Sequence, residues 1–275
     1  MNKRLSEKAY WESLYKGSDS NKKRWWHKFF QQAQTPWSCL VDYTDYHLWR
    51  HVLPNFLVNG EKGKAIEIGS APGNNLLKVR TFGYEPYGVE YSAAGVIANR
   101  NNFAAHGIDP DNVIEADFFS ENFQREYKNC FDLVMSFGFL EHFDDPVSVV
   151  EAHLSLLKPN GLLVVTIPNF SGLNKEFVDF FDPEILSIHN TAIMNLEKFR
   201  QTFENQCLES LYCRYLGRFH FGLFVAKNKW RRIMLNICKC LQLFLNLVYF
   251  CSNSKRNTSH FLSPHLIFIG RKNTA

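Results

Sequence analysis

Hydrophobic and polar positions along the middle of the chain alternate between two periods. Short apolar runs predict strands at 65–68, 84–89, 112–115, 133–136 and 162–167. Stretches with helical periodicity lie between them, near 74–82, 93–106, 120–128 and 145–157. Strands that alternate with helices form a parallel sheet with helices on both faces, so the pattern predicts an α/β fold.

The C-terminal third continues this pattern and then changes it. A helix is predicted at 196–206, a strand at 208–215 and a last strand at 266–270. A hairpin-like pair at the end of the series distinguishes this sheet from the parallel dinucleotide fold. The expected architecture is a mostly parallel seven-stranded sheet with an antiparallel last strand and helices on both faces.

Residues 1–63 precede the first strand of this series and predict an N-terminal helical cap. Ser6 is a suitable N-cap for a first helix, and a further helix near 45–53 stops around Pro54. The run 22–30 mixes basic and aromatic residues, which favours an amphipathic helix with its rings packed inward and leaves contact with a membrane or an acidic partner as the alternative. The domain after this cap is expected to span 64–270.

A long segment, 217–260, interrupts this domain before its last strand and predicts a helix at 230–251. Its polar residues recur every three or four positions, at Asn236, Lys239, Gln242 and Asn246. A basic cluster precedes it, at Lys227, Lys229, Arg231 and Arg232. Three placements remain open: a helix in the surface of a membrane, a helix packed on the domain or a dimer partner, and a membrane span.

Composition adds little to the choice of partner. The net charge of +4 does not by itself require nucleic acid. The seven cysteines form no CxxC motif and no zinc-type spacing, so we expect reduced thiols and no metal site. The polar N-terminus predicts no signal peptide. A cytoplasmic protein is expected, at the inner face of the membrane if 230–251 contacts lipid.

The stretch from Lys64 to Asn75 combines a strand, a glycine turn and the start of a helix. Glu67 lies at the end of the strand, and Gly69 and Gly73 allow a ligand to approach the backbone closely. Many nucleotide-binding folds contain such a turn. About twenty residues further, Glu90 ends the second strand, where an acid can accept both hydroxyls of a ribose.

The third and fourth strands end in residues that suit a purine base and a ligand wall. Asp117 can accept the exocyclic amine of adenine, and the Phe118 ring can stack on the base. Phe137 comes directly after the fourth strand.

With these residues in this order, the chain resembles the class I S-adenosylmethionine-dependent methyltransferases, which have a Rossmann-like fold. The resemblance covers about 64–170 and the last strand. It implies that S-adenosylmethionine is the cofactor and that its methionine end contacts Glu67, Gly69, Ser70, Ala71 and Gly73. It assigns the ribose to Glu90, with Tyr91 beside it, and the adenine to Asp117 and Phe118, and it makes Phe137 a wall of the cofactor site. Ala71 departs from the family's third glycine, which is acceptable if its φ is negative.

Transfer of a methyl group to a hydroxyl requires a base only if the hydroxyl must lose its proton. His142 is the candidate base, because its Glu-His pair resembles that of quinone-biosynthesis O-methyltransferases. Alternatively, His142 bonds a neighbouring carboxylate, Asp144 or Asp145. Glu141 has no identifiable co-ligands for a cation. Asn169 and His189 are candidates to face the acceptor, but the sequence favours a structural role for each.

The segment directly after the fourth strand narrows the class of acceptor. Ser-Phe-Gly-Phe stands there in place of the Asn/Asp-Pro-Pro-aromatic motif, which argues against methylation of nucleic acid bases. The expected acceptor is the oxygen of a small molecule, a glycan or a lipid-linked intermediate. Two other functions stay open, a nicotinamide-dependent oxidoreductase and a non-catalytic cofactor-binding scaffold.

Overall fold

Seven strands form the sheet that the alternating pattern predicts. The computed structural model describes residues 3–15, 38–57, 63–252 and 258–274, and the run 22–30 lies outside them. The strands are β1 (Lys64–Ile68), β2 (Glu85–Glu90), β3 (Val113–Glu115), β4 (Phe131–Phe137), β5 (Leu157–Pro168), β6 (Leu208–Leu216) and β7 (His265–Lys272). Their order is β3-β2-β1-β4-β5-β7-β6, and β7 is antiparallel to both of its neighbours. The predicted sheet is confirmed.

Helices connect the strands and cover the sheet. They are α1 (Lys8–Tyr15), α2 (Ser38–Val41), α3 (Tyr43–His47), α4 (Asn74–Arg80), α5 (Ala93–Ala105), α6 (Glu121–Glu126), α7 (Pro146–Leu156), α8 (Leu173–Phe181), α9 (Leu196–Gln201) and α10 (Lys229–Cys251). Serine caps fix two of the helix starts, since Ser92 accepts a hydrogen bond from the amide of Gly95 and Ser120 from that of Phe123. Helix α8 was not predicted from the sequence.

The central strands are buried on both faces, which explains their nearly continuous apolar sequences. In β1, Ala65 and Ile66 are fully buried, and Leu133 and Val134 of β4 are buried to the same extent. One apolar cluster lies on each face of the sheet. Burial on both faces therefore holds β1 and β4 in a fixed position at the centre of the molecule.

Strands β1 and β4 lie side by side at the point where the strand order reverses. Ile68 pairs with Val89 on one side and with Ser136 on the other, so the residues after β1, β2 and β4 emerge at one edge. Parallel sheets bind their ligands outside the carboxyl ends of the strands at such a switch point.

Helix α10 follows β6 in the chain and packs on the domain through two of its four predicted polar residues, Gln242 and Asn246, whereas Asn236 and Lys239 are exposed. Gln242 is 3% exposed and Asn246 is fully buried, and the Asn246 side chain donates to the backbone oxygen of Leu40 at 2.8 Å. The apolar face is exposed instead, at Trp230, Ile233, Met234, Ile237, Leu241, Leu243, Phe244, Leu247, Val248 and Phe250. By length and composition this helix could cross a membrane, with a mean hydropathy of 1.6 in its most apolar window.

Candidate active site

A cavity of about 180 Å³ opens at the carboxyl ends of β1, β2 and β4. Eight of the residues predicted from the sequence line it, namely Glu67, Gly69, Ala71, Glu90, Tyr91, Phe118, Phe137 and His142. Three others that were predicted, Ser70, Gly73 and Asp117, are not among the residues that line it. The remaining lining residues were not predicted for this site, and they are Arg4, Ser6, Trp11, Tyr15, Ile68, Asn75, Val89, Ala116, Gly138, Phe139 and Phe143.

The turn after β1 has the backbone conformation that its glycines allow. Gly69 has a φ of +69° and Gly73 a φ of +87°, a region that other residues rarely adopt. A Cβ atom on Gly69 would lie 3.1 Å from the ring of Phe139. Ala71 is not among the residues with positive φ, so the departure from the family's third glycine costs no strain.

Ser70 and Gly73 belong to this turn and stabilise it through contacts with Asn99. The Ser70 hydroxyl accepts a hydrogen bond from the Asn99 side chain at 2.6 Å, in a fully buried pair. A Cβ atom on Gly73 would lie 2.2 Å from Oδ1 of Asn99, which leaves no room for a larger residue. Both residues therefore fix the conformation of the turn and do not form a wall of the cavity.

Glu67 lines the cavity with a buried carboxylate, and only one of its two oxygens has a hydrogen-bond partner among the described residues. Its side chain is almost fully buried, and Oε1 accepts a hydrogen bond from the Asn75 amide at 2.9 Å. Oε2 has no hydrogen-bond partner among the described residues. Burial raises the pKa of Glu67 to about 8, although Asn75 and Lys78 oppose the shift. An unpaired carboxylate oxygen fits a ligand with a cationic group, and the amine of S-adenosylmethionine is such a group.

Glu90 is fixed at the end of β2 by the next residues of the chain. Its Oε1 accepts hydrogen bonds from the amides of Tyr91 at 3.0 Å and Ser92 at 2.9 Å. Burial raises the pKa of Glu90, and these amides oppose the shift. Gly95 leaves room for the side chain, because a Cβ atom there would lie 2.9 Å from Cγ of Glu90.

The N-terminal segment closes the cavity from the solvent side. Arg4 forms an ion pair with Asp117, and its guanidinium lies 4.8 Å from the centre of the Tyr91 ring. The Tyr15 hydroxyl donates to the backbone oxygen of Ala71 at 3.0 Å. No local pattern signals these contacts, since Arg4 and Asp117 are 113 positions apart.

His142 lines the cavity and is held by a backbone group. Its Nδ1 is 2.8 Å from the carbonyl oxygen of Ile188, and this bond takes the place of one to Asp144 or Asp145. The carbonyl can only accept, so Nδ1 carries the proton and Nε2 the lone pair. Burial lowers the pKa of His142 to about 3, and the ring is neutral at pH 7.

The structure places His189 next to His142, and Asn169 is not among the residues that line the cavity. The His142 and His189 rings are 4.5 Å apart between centroids. Asn169 is fully buried and donates to the backbone oxygens of His260 and Ser263, which is a structural role. Glu141 is also buried, and burial raises its pKa to about 8.

Aromatic rings surround His142. The Trp11 ring meets the His142 ring edge-on at 5.1 Å, and the rings of Phe139 and Phe143 are 5.0 Å apart in the same wall. The part of the cavity around His142 is therefore lined by aromatic rings and has one neutral imidazole in its wall.

Comparisons with known proteins agree with this arrangement. A family model described as a methyltransferase domain matches residues 41–209. The ubiquinone biosynthesis O-methyltransferase of Glaesserella parasuis is 24% identical over 214 residues, which are 74% of this chain and 89% of that protein. The corresponding enzyme of Histophilus somni is 24% identical over 215 residues, with 73% and 87% covered.

Solved structures share the fold. A SAM-dependent methyltransferase from Archaeoglobus fulgidus superposes with a TM-score of 0.53 and 16% identity, over 90% of this chain and all of that one. The geranyl diphosphate C-methyltransferase from Streptomyces coelicolor, solved with Mg²⁺, geranyl diphosphate and S-adenosyl-L-homocysteine, gives a TM-score of 0.51 at 15% identity, over 86% and 79%.

The family model covers more than half of the chain, and strands β1 to β5, the glycine turn and Glu90 at the end of β2 lie within its match. The oxidoreductase alternative is not supported by any of these matches. The chain belongs to the class I S-adenosylmethionine-dependent methyltransferases.

Proposed function

We propose that this enzyme methylates a hydroxyl oxygen on an aromatic small molecule that carries an apolar chain. The observation that carries the proposal is the end of the cavity around His142. There, a neutral imidazole is surrounded by the rings of Trp11, Phe139 and Phe143. A flat ring fits between such walls, and Nε2 of His142 can accept a hydrogen bond from a hydroxyl on that ring. The similarity to ubiquinone biosynthesis O-methyltransferases supports the same acceptor class.

The cofactor is proposed to lie along the cavity from Glu67 to Phe118. The methionine end contacts Glu67, Gly69 and Ala71 of the turn after β1, where the unpaired carboxylate oxygen of Glu67 meets its amine. The ribose hydroxyls bind Glu90 beside Tyr91. The adenine lies on Phe118, and Phe137 forms part of the cavity wall. Oδ1 of Asp117 accepts from Arg4 and from the Phe119 amide, so its Oδ2 is the proposed partner of the adenine amine.

The bound cofactor supplies an electrophilic methyl group on a sulfonium. The residues of this chain align the acceptor and exclude water, because the N-terminal segment closes the cavity through Trp11 and Tyr15. We propose that His142 receives the hydrogen bond, and then the proton, of the acceptor hydroxyl. Its low pKa makes it a weak base when it acts alone.

The proposed domain organisation rests on the same contacts. Residues 1–63 act as a cap on the methyltransferase domain 64–270, and 217–260 is an insertion in that domain. Described residues of the cap contribute Arg4, Trp11 and Tyr15 to the cavity. The insertion contributes α10, which packs against α2 of the cap through Asn246.

We further propose that α10 (230–251 in the sequence) lies on an anionic membrane surface. Its exposed face is apolar over five turns, and Trp230 and Phe244 are 75% and 67% exposed. The basic residues Lys229, Arg231 and Arg232 stand at its N-terminal end, where they can contact lipid phosphates. A monomer rarely exposes so large an apolar patch to water. An acceptor with an apolar chain would reach the enzyme from such a surface.

Methyl transfer to defined probes tests the acceptor class. A catechol with a short isoprenoid chain and the matching diamine are each incubated with the enzyme and cofactor labelled in the methyl group. We expect label on the catechol oxygen and none on the diamine. His142→Gln is expected to lose transfer and to keep binding of S-adenosylhomocysteine. Label on the diamine, or full transfer by His142→Gln, would contradict the proposal.

Flotation with phosphatidylcholine vesicles, with and without phosphatidylglycerol, tests the membrane contact. The intact enzyme is expected to float with the anionic vesicles. Ile237→Asp and Phe244→Asp place a charge on the apolar face and are expected to remain in the soluble fraction. Asn101→Asp adds the same charge at an exposed polar position of α5, away from α10, and serves as the control. Equal flotation of all four proteins would rule out this face.

A further inference from the structure

A largely buried lysine joins the N-terminal cap to the helix that follows the glycine turn. Nζ of Lys78 on α4 bonds Oδ1 of Asp45 on α3, and the Lys78 side chain is only 16% exposed. The two residues are 33 positions apart, so the tertiary fold brings them together. Lysine is rarely buried to this extent unless its charge is paired, and the cofactor site as described above does not include this pair.

An acid and an aromatic ring fix the position of the Lys78 ammonium. Asp45 lies in the first turn of α3, where its backbone amide donates to the Asp42 side chain at 3.0 Å. The ammonium lies 5.4 Å from the centre of the Trp49 ring, and Trp49 is 2% exposed. The Trp49 ring is in turn 6.2 Å from the ring of Phe137, which lines the cavity. The charge is therefore held on the inner side of α4, next to the residues that border the cavity.

Helix α4 places Lys78 on the same face as a residue that holds Glu67. Lys78 comes three positions after Asn75, and side chains at this spacing lie one above the other on a helix. The Asn75 side chain donates to Oε1 of Glu67 at 2.9 Å. One face of one helix therefore carries both the amide that orients the Glu67 carboxylate and the ammonium of Lys78.

The charges around Glu67 give this ammonium an effect on the carboxylate. The described titratable groups that act on it come from three elements, namely Lys78 on α4, Glu90 at the end of β2 and Tyr15 on α1. Burial raises the pKa of Glu67, Asn75 and Lys78 oppose the shift, and Glu90 adds to it. Lys78 is the cation in this set. Because Glu67 is almost fully buried, water and salt screen its attraction to a nearby cation only weakly.

We propose that Lys78, held by Asp45, is a positioning residue for the cofactor, because its ammonium favours the ionised Glu67 carboxylate that pairs with the cofactor's amine. The inference rests on the proposed placement of that amine at Glu67. An ionised carboxylate forms a stronger hydrogen bond with an ammonium group than a neutral carboxyl does. Through Asp45, the cap contributes to this part of the site a residue that does not line the cavity.

Calorimetric titration of the full chain with S-adenosylhomocysteine, from about pH 6.5 to about pH 9, tests the role of Lys78. Lys78→Met removes the charge and keeps the length of the side chain. We expect the pH at which the affinity levels off to rise by about half a unit or more, and the affinity at the lowest pH to fall by about threefold or more. Lys78→Arg retains a cation and is expected to follow the wild type. Arg80→Met removes an exposed cation from the same helix and is the control.

Asp45→Asn separates the charge of Lys78 from the structural effect of the ion pair. Both Asp45→Asn and Lys78→Met break the pair, but Asp45→Asn keeps the ammonium. Its affinity at the lowest pH is therefore expected to stay at or above the wild-type value. Equal losses in the two variants, or a wild-type profile in Lys78→Met, would overturn the inference. Thermal unfolding of each variant identifies misfolded protein, and Lys78→Gln takes the place of Lys78→Met if the latter does not fold.

Glu67→Gln distinguishes a failure of this inference from a failure of the proposed cofactor site. If Glu67→Gln flattens the pH profile and Lys78→Met leaves it unchanged, the role of Lys78 alone is refuted. If Glu67→Gln keeps the wild-type profile, the placement of the amine at Glu67 is refuted, and the role of Lys78 with it. When both assignments hold, Lys78→Met added to Glu67→Gln causes no further loss, because the group on which Lys78 acts is absent.

Discussion

Glu67 shows how one residue distinguishes two kinds of glycine turn. A turn that binds a pyrophosphate would place this acid against its ligand's negative charge, whereas a sulfonium cofactor has no phosphate and carries a positive charge. The structure gives Glu67 one amide partner and leaves the other oxygen unpaired and buried. The ligand that completes this site is therefore expected to be a cation.

The pKa of Glu67 predicts how cofactor affinity depends on pH. The pKa is about 8 in the free protein, and a bound ammonium group favours the ionised carboxylate, so binding releases a proton. Affinity for S-adenosylhomocysteine is expected to rise with pH below 8, by at most about tenfold per unit, and to level off above it.

Calorimetry at pH 6.5, 7.5 and 8.5 measures this dependence. Glu67→Gln cannot ionise and is expected to bind more weakly with a flatter pH profile. Glu115→Gln, an exposed acid at the end of β3, should keep the wild-type profile. An unchanged profile in Glu67→Gln would show that another group carries the dependence.

At the scale of elements, α10 shows what periodicity predicts and what it omits. The spacing of Gln242 and Asn246 indicates that they share one face of the helix. It does not indicate which face of the helix packs against the domain. Amphipathic helices usually pack their apolar face inward. In the structure the face with Gln242 and Asn246 packs inward, because these side-chain amides form hydrogen bonds with backbone groups of the cap and of the segment before α10. Specific hydrogen bonds across more than 200 positions cannot be read from a local pattern.

Asn246 is expected to anchor α10 to the rest of the protein. Asn246→Ala leaves the backbone oxygen of Leu40 without its buried side-chain donor and removes one of the two acceptors of the Gln242 amide. The free energy of unfolding should fall by about 1–3 kcal/mol. Chemical denaturation measures it, with Asn236→Ala, exposed on the same helix, expected within about 0.5 kcal/mol of the wild type. Equal stability of the two variants would mean that the amide contacts do not hold the helix.

The N-terminal helix α1 is expected to act as a cover on the cavity. Trp11 lines the cavity and contacts His142, whereas Leu14 on the same helix is 51% exposed. Trp11→Ala should speed the release of S-adenosylhomocysteine in a stopped-flow experiment, because the cover then packs less tightly. Leu14→Ala is the matched control. If both variants release the ligand at the wild-type rate, α1 does not limit its departure.

For the whole molecule, the sequence was sufficient for the sheet and for eight of the residues that line the cavity. Strands buried on both faces produce strong local signals, and Glu67, Gly69 and Glu90 are placed by the strands that they end. The contacts of the N-terminal segment with the cavity could not be predicted, because Arg4 and Trp11 contact residues more than 100 positions away in the sequence. The cluster of His142 and His189 depends in the same way on two loops that only the tertiary fold brings together.

The central claim is that the cavity between Glu67 and Glu90 holds the cofactor. Calorimetric titration of the full chain with S-adenosylhomocysteine tests it most directly, on the wild type, on Glu90→Ala and on Glu85→Ala. Glu85 begins the same strand and is exposed, so it serves as the control. We expect binding to one site in the wild type and in Glu85→Ala, and a loss of about tenfold or more in Glu90→Ala. Equal affinities in all three proteins would contradict the claim, as would the absence of binding at millimolar ligand.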